Sequence, residues 1–195
     1  MENKFKRGFL GIMDILEAIK NRRSIRKYKD TPVPEEVLNT VLEAARWAPS
    51  WANTQCTRYV VVRDPATKER LAEVVNKGNP ATEALKTAPI VIVACAEMKK
   101  SGYYKGEPVT DKGDWFMFDA GIAMQNLMLA AHGLGLGTVH VGYIPDSKKL
   151  GEIIGLPEGM IAVEMTPLGY PAAEAKAPPR KELAEIVFYE KYGKR

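Results

Sequence analysis

The chain has 195 residues, 46% of them hydrophobic and 27% charged, the balance of one globular domain with a sizeable core. A net charge of +4 is too slight for a nucleic-acid binder, which concentrates basic residues on one face. Its two cysteines, Cys56 and Cys95, lie far apart and outside metal-ligand spacing, which argues against a disulfide framework or a zinc site and fits a reducing cytoplasm.

No apolar run reaches the length of a membrane span. Residues 1–12 are basic but lack the long apolar region and small-residue cleavage site of a signal peptide, so they form an N-terminal extension. Met13 opens a well-patterned helix, and residues 13–195 make a single domain. Asp14 is placed to cap that helix, which carries Ile15, Leu16 and Ile19 on one face and runs into Arg22-Arg23-Ser24-Ile25-Arg26. Two readings fit the cluster. Guanidinium forks match phosphate oxygens in pairs and Ser adds a rotatable donor, so the stretch suits one phosphate group. It also suits cations set at a helix C-terminus to complement the dipole. A second helix begins near Pro34, shows Val37, Leu38, Val41, Leu42 and Ala45 as its apolar stripe, and ends at Ala48-Pro49.

The loop Pro49-Ser50-Trp51-Ala52-Asn53-Thr54-Gln55-Cys56 is rich in neutral hydrogen-bonding groups. Asn and Gln each carry a donor and an acceptor, which suits a heterocycle edge or a polyol as well as an ordinary polar turn. Residues 59–62 form a β-branched strand, and Asp64-Pro65 starts a helix through Leu71, Val74 and Val75 that Gly78-Asn79-Pro80 breaks. Residues 89–96 are apolar throughout, as a strand buried on both faces requires, with Cys95 in the core. Residues 97–113, with Tyr103 and Tyr104 in the middle, form a long polar loop suited to a lid.

Residues 114–132 give the longest helical pattern, apolar on most of its circumference, and therefore the central buried helix. His132 near its end is a capping or packing residue rather than a base, having no carboxylate nearby in sequence. Gly133-Leu134-Gly135-Leu136-Gly137 follows a helix and precedes a strand, the reverse of a dinucleotide fingerprint. Its glycines end the helix and permit tight packing. A strand over 138–141 leads to Gly142-Tyr143, where the missing side chain lets a flat ligand approach the backbone. Asp146 caps a short helix with Leu150, Ile153 and Ile154, and residues 160–165 form another strand. The tail from residue 172 offers Lys176, Arg180 and Lys181 as a second basic group, then Ile186, Val187, Phe188 and Tyr189, which need burial, as on a partner subunit.

In this order the pieces resemble the nitroreductase family of FMN-dependent oxidoreductases, over about residues 13–192. The resemblance is carried by Arg22-Arg23-Ser24-Ile25-Arg26-Lys27-Tyr28, by Ala48-Pro49-Ser50 through Asn53 and Gln55, and by Asp119-Ala120-Gly121 with Gln125-Asn126-Leu127. It continues in Gly135-Leu136-Gly137-Thr138 leading to Gly142, in Leu168-Gly169-Tyr170-Pro171, and in Arg180-Lys181. The implied fold is α+β, a central, mostly antiparallel sheet flanked by helices, in an intertwined homodimer with two shared FMN sites. The resemblance implies that Arg22, Arg23 and Ser24 grip the FMN phosphate, helped by Arg180, and that Arg26 lies near the flavin N1 and O2 edge. Pro49, Ser50, Trp51 and Asn53 would come from the partner subunit, with Gln55 in the same cofactor-binding segment. Backbone at Val141 and Gly142 would face N5 and O4. Cys56-Thr57 stands where Pro-Trp is usual, and Pro178 where a lysine often precedes the arginine.

A flavin carries the redox chemistry itself, so no Ser-His-Asp set or acidic pair is needed, and none is evident in the sequence. The implied activity is a ping-pong cycle in which NADH or NADPH reduces FMN and an electron-poor acceptor, a nitroaromatic or quinone, reoxidises it. Two alternatives share the site: a flavoenzyme of the same fold with deiodinase-like or flavin-cleaving chemistry, and a non-catalytic FMN carrier.

Overall fold

The computed structural model describes residues 14–195, so the extension read over 1–12, like Met13, lies outside the described residues. The Asp14 carboxylate accepts from the Leu16 and Glu17 amides and starts helix α1, Ile15–Asn21. Helix α2, Glu35–Arg46, follows Pro34 and buries Val37, Leu38, Val41 and Ala45, the stripe its spacing predicts. Strand β1, Thr57–Val62, leads to Asp64, whose side chain accepts from the Thr67 amide and starts α3, Pro65–Glu73. This helix stops short of the expected Val75, and beyond the break a further helix, α4, Thr82–Thr87, appears. At six residues, α4 is too short to show a periodicity of its own.

Strand β2, Ile90–Glu97, is buried on both faces and forms the middle of the sheet. Two short strands, β3 Tyr103–Tyr104 and β4 Glu107–Pro108, pair as a separate hairpin. Helix α5, Phe116–Gly133, is the longest element; α6, Ser147–Ile153, follows, capped by Asp146, and strand β5, Met160–Leu168, completes the sheet. The order is β1-β2-β5, and both pairings are antiparallel.

The period of two along β2 sorts the core into two layers. Val91, Val93 and Cys95 face Leu71, Leu85 and Leu150 of α3, α4 and α6. Ile90, Ile92 and Ala94 face Val37, Leu38 and Val41 of α2 and Met124, Leu127 and Met128 of α5. Each large apolar side chain so buried contributes about 1.5–3 kcal/mol, which explains why a strand covered on both sides reads as a continuous apolar run.

Two expectations need correction. Residues 138–141 do not form a ladder strand; they make single bridges, Thr138 with Ser24 and Val141 with Met165. The reason is divided loyalty: the Thr138 carbonyl accepts from the Ile25 amide, whereas the Val139 amide is taken by the Thr166 hydroxyl. Helix α5 is not buried all round, because Met117 and Phe118 on its first turns are exposed. The tail, with its short helix α7, Leu183–Ile186, leaves Leu183, Ile186 and Tyr189 exposed, so its own chain does not supply the burial those residues need. Ile15, Leu16 and Ile19 of α1 are uncovered in the same way. Among the described residues no helix is long and apolar enough to cross a membrane.

Candidate functional site

The arginine stretch docks where α5 ends. Arg22 caps α1, and the chain then runs extended beside residues 137 and 138, with the Ile25 amide donating to the Thr138 carbonyl at 2.9 Å. Gly137 makes this approach possible, since a Cβ there would lie 2.7 Å from the Ile25 Cβ. At the helix end Gly135 adopts φ +78° and the Leu136 amide returns to the Ala131 carbonyl at 2.8 Å, so the glycines do end the helix and permit close packing. The result is a cleft of about 880 Å³ lined by Arg22, Arg23, Ile25, His132, Thr138 and Ala173, among others.

Inside the cleft the two readings of the basic cluster divide between neighbouring residues. Arg23 serves α1, its Nη1 donating to the carbonyls of Lys20 at 2.6 Å and Arg22 at 2.8 Å. The Arg22 guanidinium and the Ser24 hydroxyl donate to no acceptor among the described residues. Burial, then the charges of Arg23 and Arg180, lower the Arg22 pKa. Arg180 is therefore close enough to be felt there, although its Nη1 rests on the Pro178 and Pro179 carbonyls at 3.2 Å. Arg26 is exposed, its Nη1 only 3.5 Å from the Ser24 carbonyl. Among the described residues His132 Nε2 is the one buried side-chain nitrogen or oxygen without a partner. Burial and the charges of Arg22 and Arg23 hold that imidazole below its usual pKa. Cations crowded without a counter-ion, beside free donors and an orphaned nitrogen, are the chemistry of an anion site.

The loop at 49–56 lies at the other end of α5. Trp51–Asn53 is a 3₁₀ turn, and Ala52, Asn53 and Gln55 take the left-handed φ values 44°, 55° and 49°. Such residues need support from outside, because each costs about 1–3 kcal/mol. The Ser50 hydroxyl accepts from the Gln55 amide at 2.9 Å, and the Asp119 carboxylate accepts from the Trp51 amide at 2.9 Å. Pro49, Ser50 and Gln55 border a second cleft of about 640 Å³ with Leu42, Tyr59 and Asp119. Cys56, which replaces the usual proline, is buried against Asp119, and burial first, then that carboxylate, push its thiol up to about 11. It is a protonated packing residue rather than a nucleophile.

Val141 is buried and exchanges both backbone hydrogen bonds with Met165, which fixes the approach to Gly142. A Cβ on Gly142 would meet nothing within 4 Å, and its N–H donates to no acceptor among the described residues. An open backbone donor is thus available to a flat ligand. Asp119 and His132 mark the two ends of α5, about 20 Å apart at 1.5 Å per residue. The chain therefore brings Arg22, Arg23 and Ser24 together, with Arg180 near enough to act on Arg22, but leaves Pro49, Ser50, Trp51, Asn53 and Gln55 in a separate group.

The nitroreductase family profile matches residues 19–170. The chain belongs to the nitroreductase family. It is 38% identical over 168 residues to a protein of Methanothermobacter thermautotrophicus provisionally named NADH dehydrogenase/NAD(P)H nitroreductase, covering 85% of this chain and 81% of that one. It is 32% identical over 206 residues to an NADH dehydrogenase of Thermus thermophilus, covering 92% and 98%. The solved structure of an FMN-dependent nitroreductase from Clostridium difficile superposes with a TM-score of 0.75 at 30% identity, covering 90% of this chain and 99% of that one. The antiparallel sheet with helices on both faces is thus the nitroreductase fold.

Two features of this nitroreductase escape a reading of the sequence. His140 and Glu164 form a pair, Nδ1 to Oε2 at 2.6 Å, on the side of the sheet opposite Val141. Their separation of 24 residues hides the contact. Asp119 was visible only as part of a family motif; its partners at Trp51, Thr54, Cys56 and Ser101 are distant in sequence.

Proposed function

We propose that this chain is an FMN-dependent oxidoreductase that passes a hydride from NADH or NADPH to an electron-poor acceptor, a nitroaromatic or quinone, in a ping-pong cycle. The observation that carries the reading is the anion cleft. Arg22 and Ser24 have free donors there, Arg23 and Arg180 add charge, and His132 leaves a buried nitrogen unpartnered, all in a member of the nitroreductase family. Those residues fit a flavin phosphate, with Arg22 and Ser24 as its principal ligands and Arg23 and Arg180 as supporting charges.

When bound, FMN supplies the hydride chemistry. Arg26 offers a cation for the N1 and O2 edge, which favours the negative charge left by two-electron reduction. The free Gly142 N–H, fixed by the pairing of Val141 with Met165, is a directed donor for the N5 and O4 edge. Pro49, Ser50, Trp51, Asn53 and Gln55 serve the site of a second copy, because in their own protomer they lie at the far end of α5 from the phosphate cluster. A homodimer also covers the apolar residues left open on α1, α5 and the tail. Both cysteines are free and buried, which supports a reducing, cytoplasmic setting.

Shared sites make a direct prediction. Co-expressed Arg22→Ala and Ser50→Ala/Asn53→Ala chains, each poor in flavin alone, restore one intact site per mixed dimer. The mixture is expected to regain about a quarter of the wild-type flavin content, the statistical share for a two-fold dimer. Absence of any recovery, with mixed dimers demonstrated by tag pull-down, would place each site within a single chain.

A further inference from the structure

Asp119 is 1% exposed, and no Lys, Arg or His forms an ion pair with it among the described residues. Its charge is met instead by neutral donors: the Trp51 amide at 2.9 Å, the Ser101 hydroxyl at 2.7 Å, and the Thr54 hydroxyl and Cys56 thiol at 3.5 Å. Its place in the first turn of α5 adds the favourable end of the helix dipole. A buried carboxylate is an expensive way to fill a core, so what it holds together is the informative question. It holds two loops.

The first is the 50–55 loop, with its three left-handed residues. The second is the β3–β4 hairpin, which lies within the long polar loop read over residues 97–113. Its turn is Lys105-Gly106, with φ 50° and 85°, the two left-handed residues of a type I′ turn. The hairpin's base is tied to the start of α5. The Ser101 carbonyl accepts from the Trp115 amide at 3.0 Å, the Thr110 hydroxyl accepts from Trp115 Nε1 at 2.8 Å, and a Cβ on Gly102 would collide with the Trp115 ring. Ser101, itself fully buried, is the residue that joins this base to the carboxylate holding the other loop.

We infer that Asp119 is a positioning residue that couples the β3–β4 hairpin to the 50–55 loop through Ser101, so that a flavin bound against the loop restrains the hairpin. This rests on the FMN reading above, in which the loop borders a flavin. The hairpin tip is exposed and the hairpin base shares a carboxylate with the loop, so an acceptor entering beside the flavin meets a hairpin already set by cofactor binding.

Limited trypsin digestion of the full chain, with FMN bound and after FMN removal, reads the coupling directly at the exposed Lys105, with cleavage after the exposed Lys77 as internal reference. In the wild type, FMN is expected to slow cleavage after Lys105 by about fivefold or more, the lower range of coupling between sites. Ser101→Ala keeps the contacts of Asp119 with Trp51, Thr54 and Cys56, and is expected to bind FMN while losing that protection. Full protection in Ser101→Ala would mean that the flavin touches the hairpin itself and would overturn the inference. Wild-type protein that holds FMN without protecting Lys105 would overturn it too, leaving the FMN reading intact. A wild type that takes up no FMN would overturn both.

Discussion

Arg22→Ala is expected to give a folded protein that purifies without its flavin. The Arg22 side chain makes no hydrogen bond to any described residue, and burial with the charges of Arg23 and Arg180 lowers its pKa. Its charge therefore disfavours the flavin-free fold rather than supporting it, and truncation should leave that form as stable as before or slightly more so. What the variant removes is a contact made only with a ligand. Hydrogen bonds to charged groups are worth about 1.5–3 kcal/mol each. Loss of a two-pronged guanidinium–phosphate contact then weakens binding by about a hundredfold or more. Flavin content by visible absorbance, and FMN affinity by quenching of flavin fluorescence, check the result. Stoichiometric flavin in the variant would contradict the assignment of Arg22 to the phosphate.

Gly137→Val is expected to damage both stability and cofactor binding, from a position that contacts no flavin in the proposed site. A Cβ at residue 137 would sit 2.7 Å from Ile25 Cβ and Cγ1 and 2.8 Å from Cγ2, well inside contact distance. Neither partner can give way cheaply. Ile25 is held by its amide on the Thr138 carbonyl, and the Gly137 amide donates to the Gly169 carbonyl at 2.8 Å. Overpacking of this kind costs about 1–3 kcal/mol. For a chain of this size each kcal/mol lowers the melting temperature by about 2–4 °C. The displaced segment is the one that carries Arg22, Arg23 and Ser24, so FMN affinity should fall with stability. Thermal melts with and without FMN separate the two: in the wild type FMN raises the midpoint, and in Gly137→Val the rise shrinks. A variant that melted lower but kept the full FMN-dependent rise would show that the arginine stretch is not the phosphate site.

What the sequence disclosed depended on how local each signal was. Asp14, Asp64 and Asp146 cap helices within three residues of themselves, and each is legible from its neighbours. β2 shows as an apolar run because both of its faces are covered, and α2 shows through its stripe. The β3–β4 hairpin is hidden because its strands have two residues each, too few for alternation to register. The bridges at 138–141 arise from competition between Ser24, Met165 and Thr166 for one segment, a tertiary matter with no local trace. In the site, the arginine cluster was legible as a charge pattern. Its division of labour, Arg23 serving the helix and Arg22 left free, needed the geometry. Cys56 stands out in the sequence only as a departure from the family's proline, whereas the fold sets its thiol against a buried carboxylate 63 residues away in the chain.

The most direct test of the account is the visible spectrum of the purified protein, recorded anaerobically before and after addition of NADH and then NADPH. A yellow protein that releases FMN on denaturation and bleaches with one or both nucleotides is expected. Its colour should then return on addition of a quinone. A protein that stays oxidised with both nucleotides would contradict the oxidoreductase function and leave a flavin carrier. A colourless protein that takes up no added FMN would contradict the cofactor site as well.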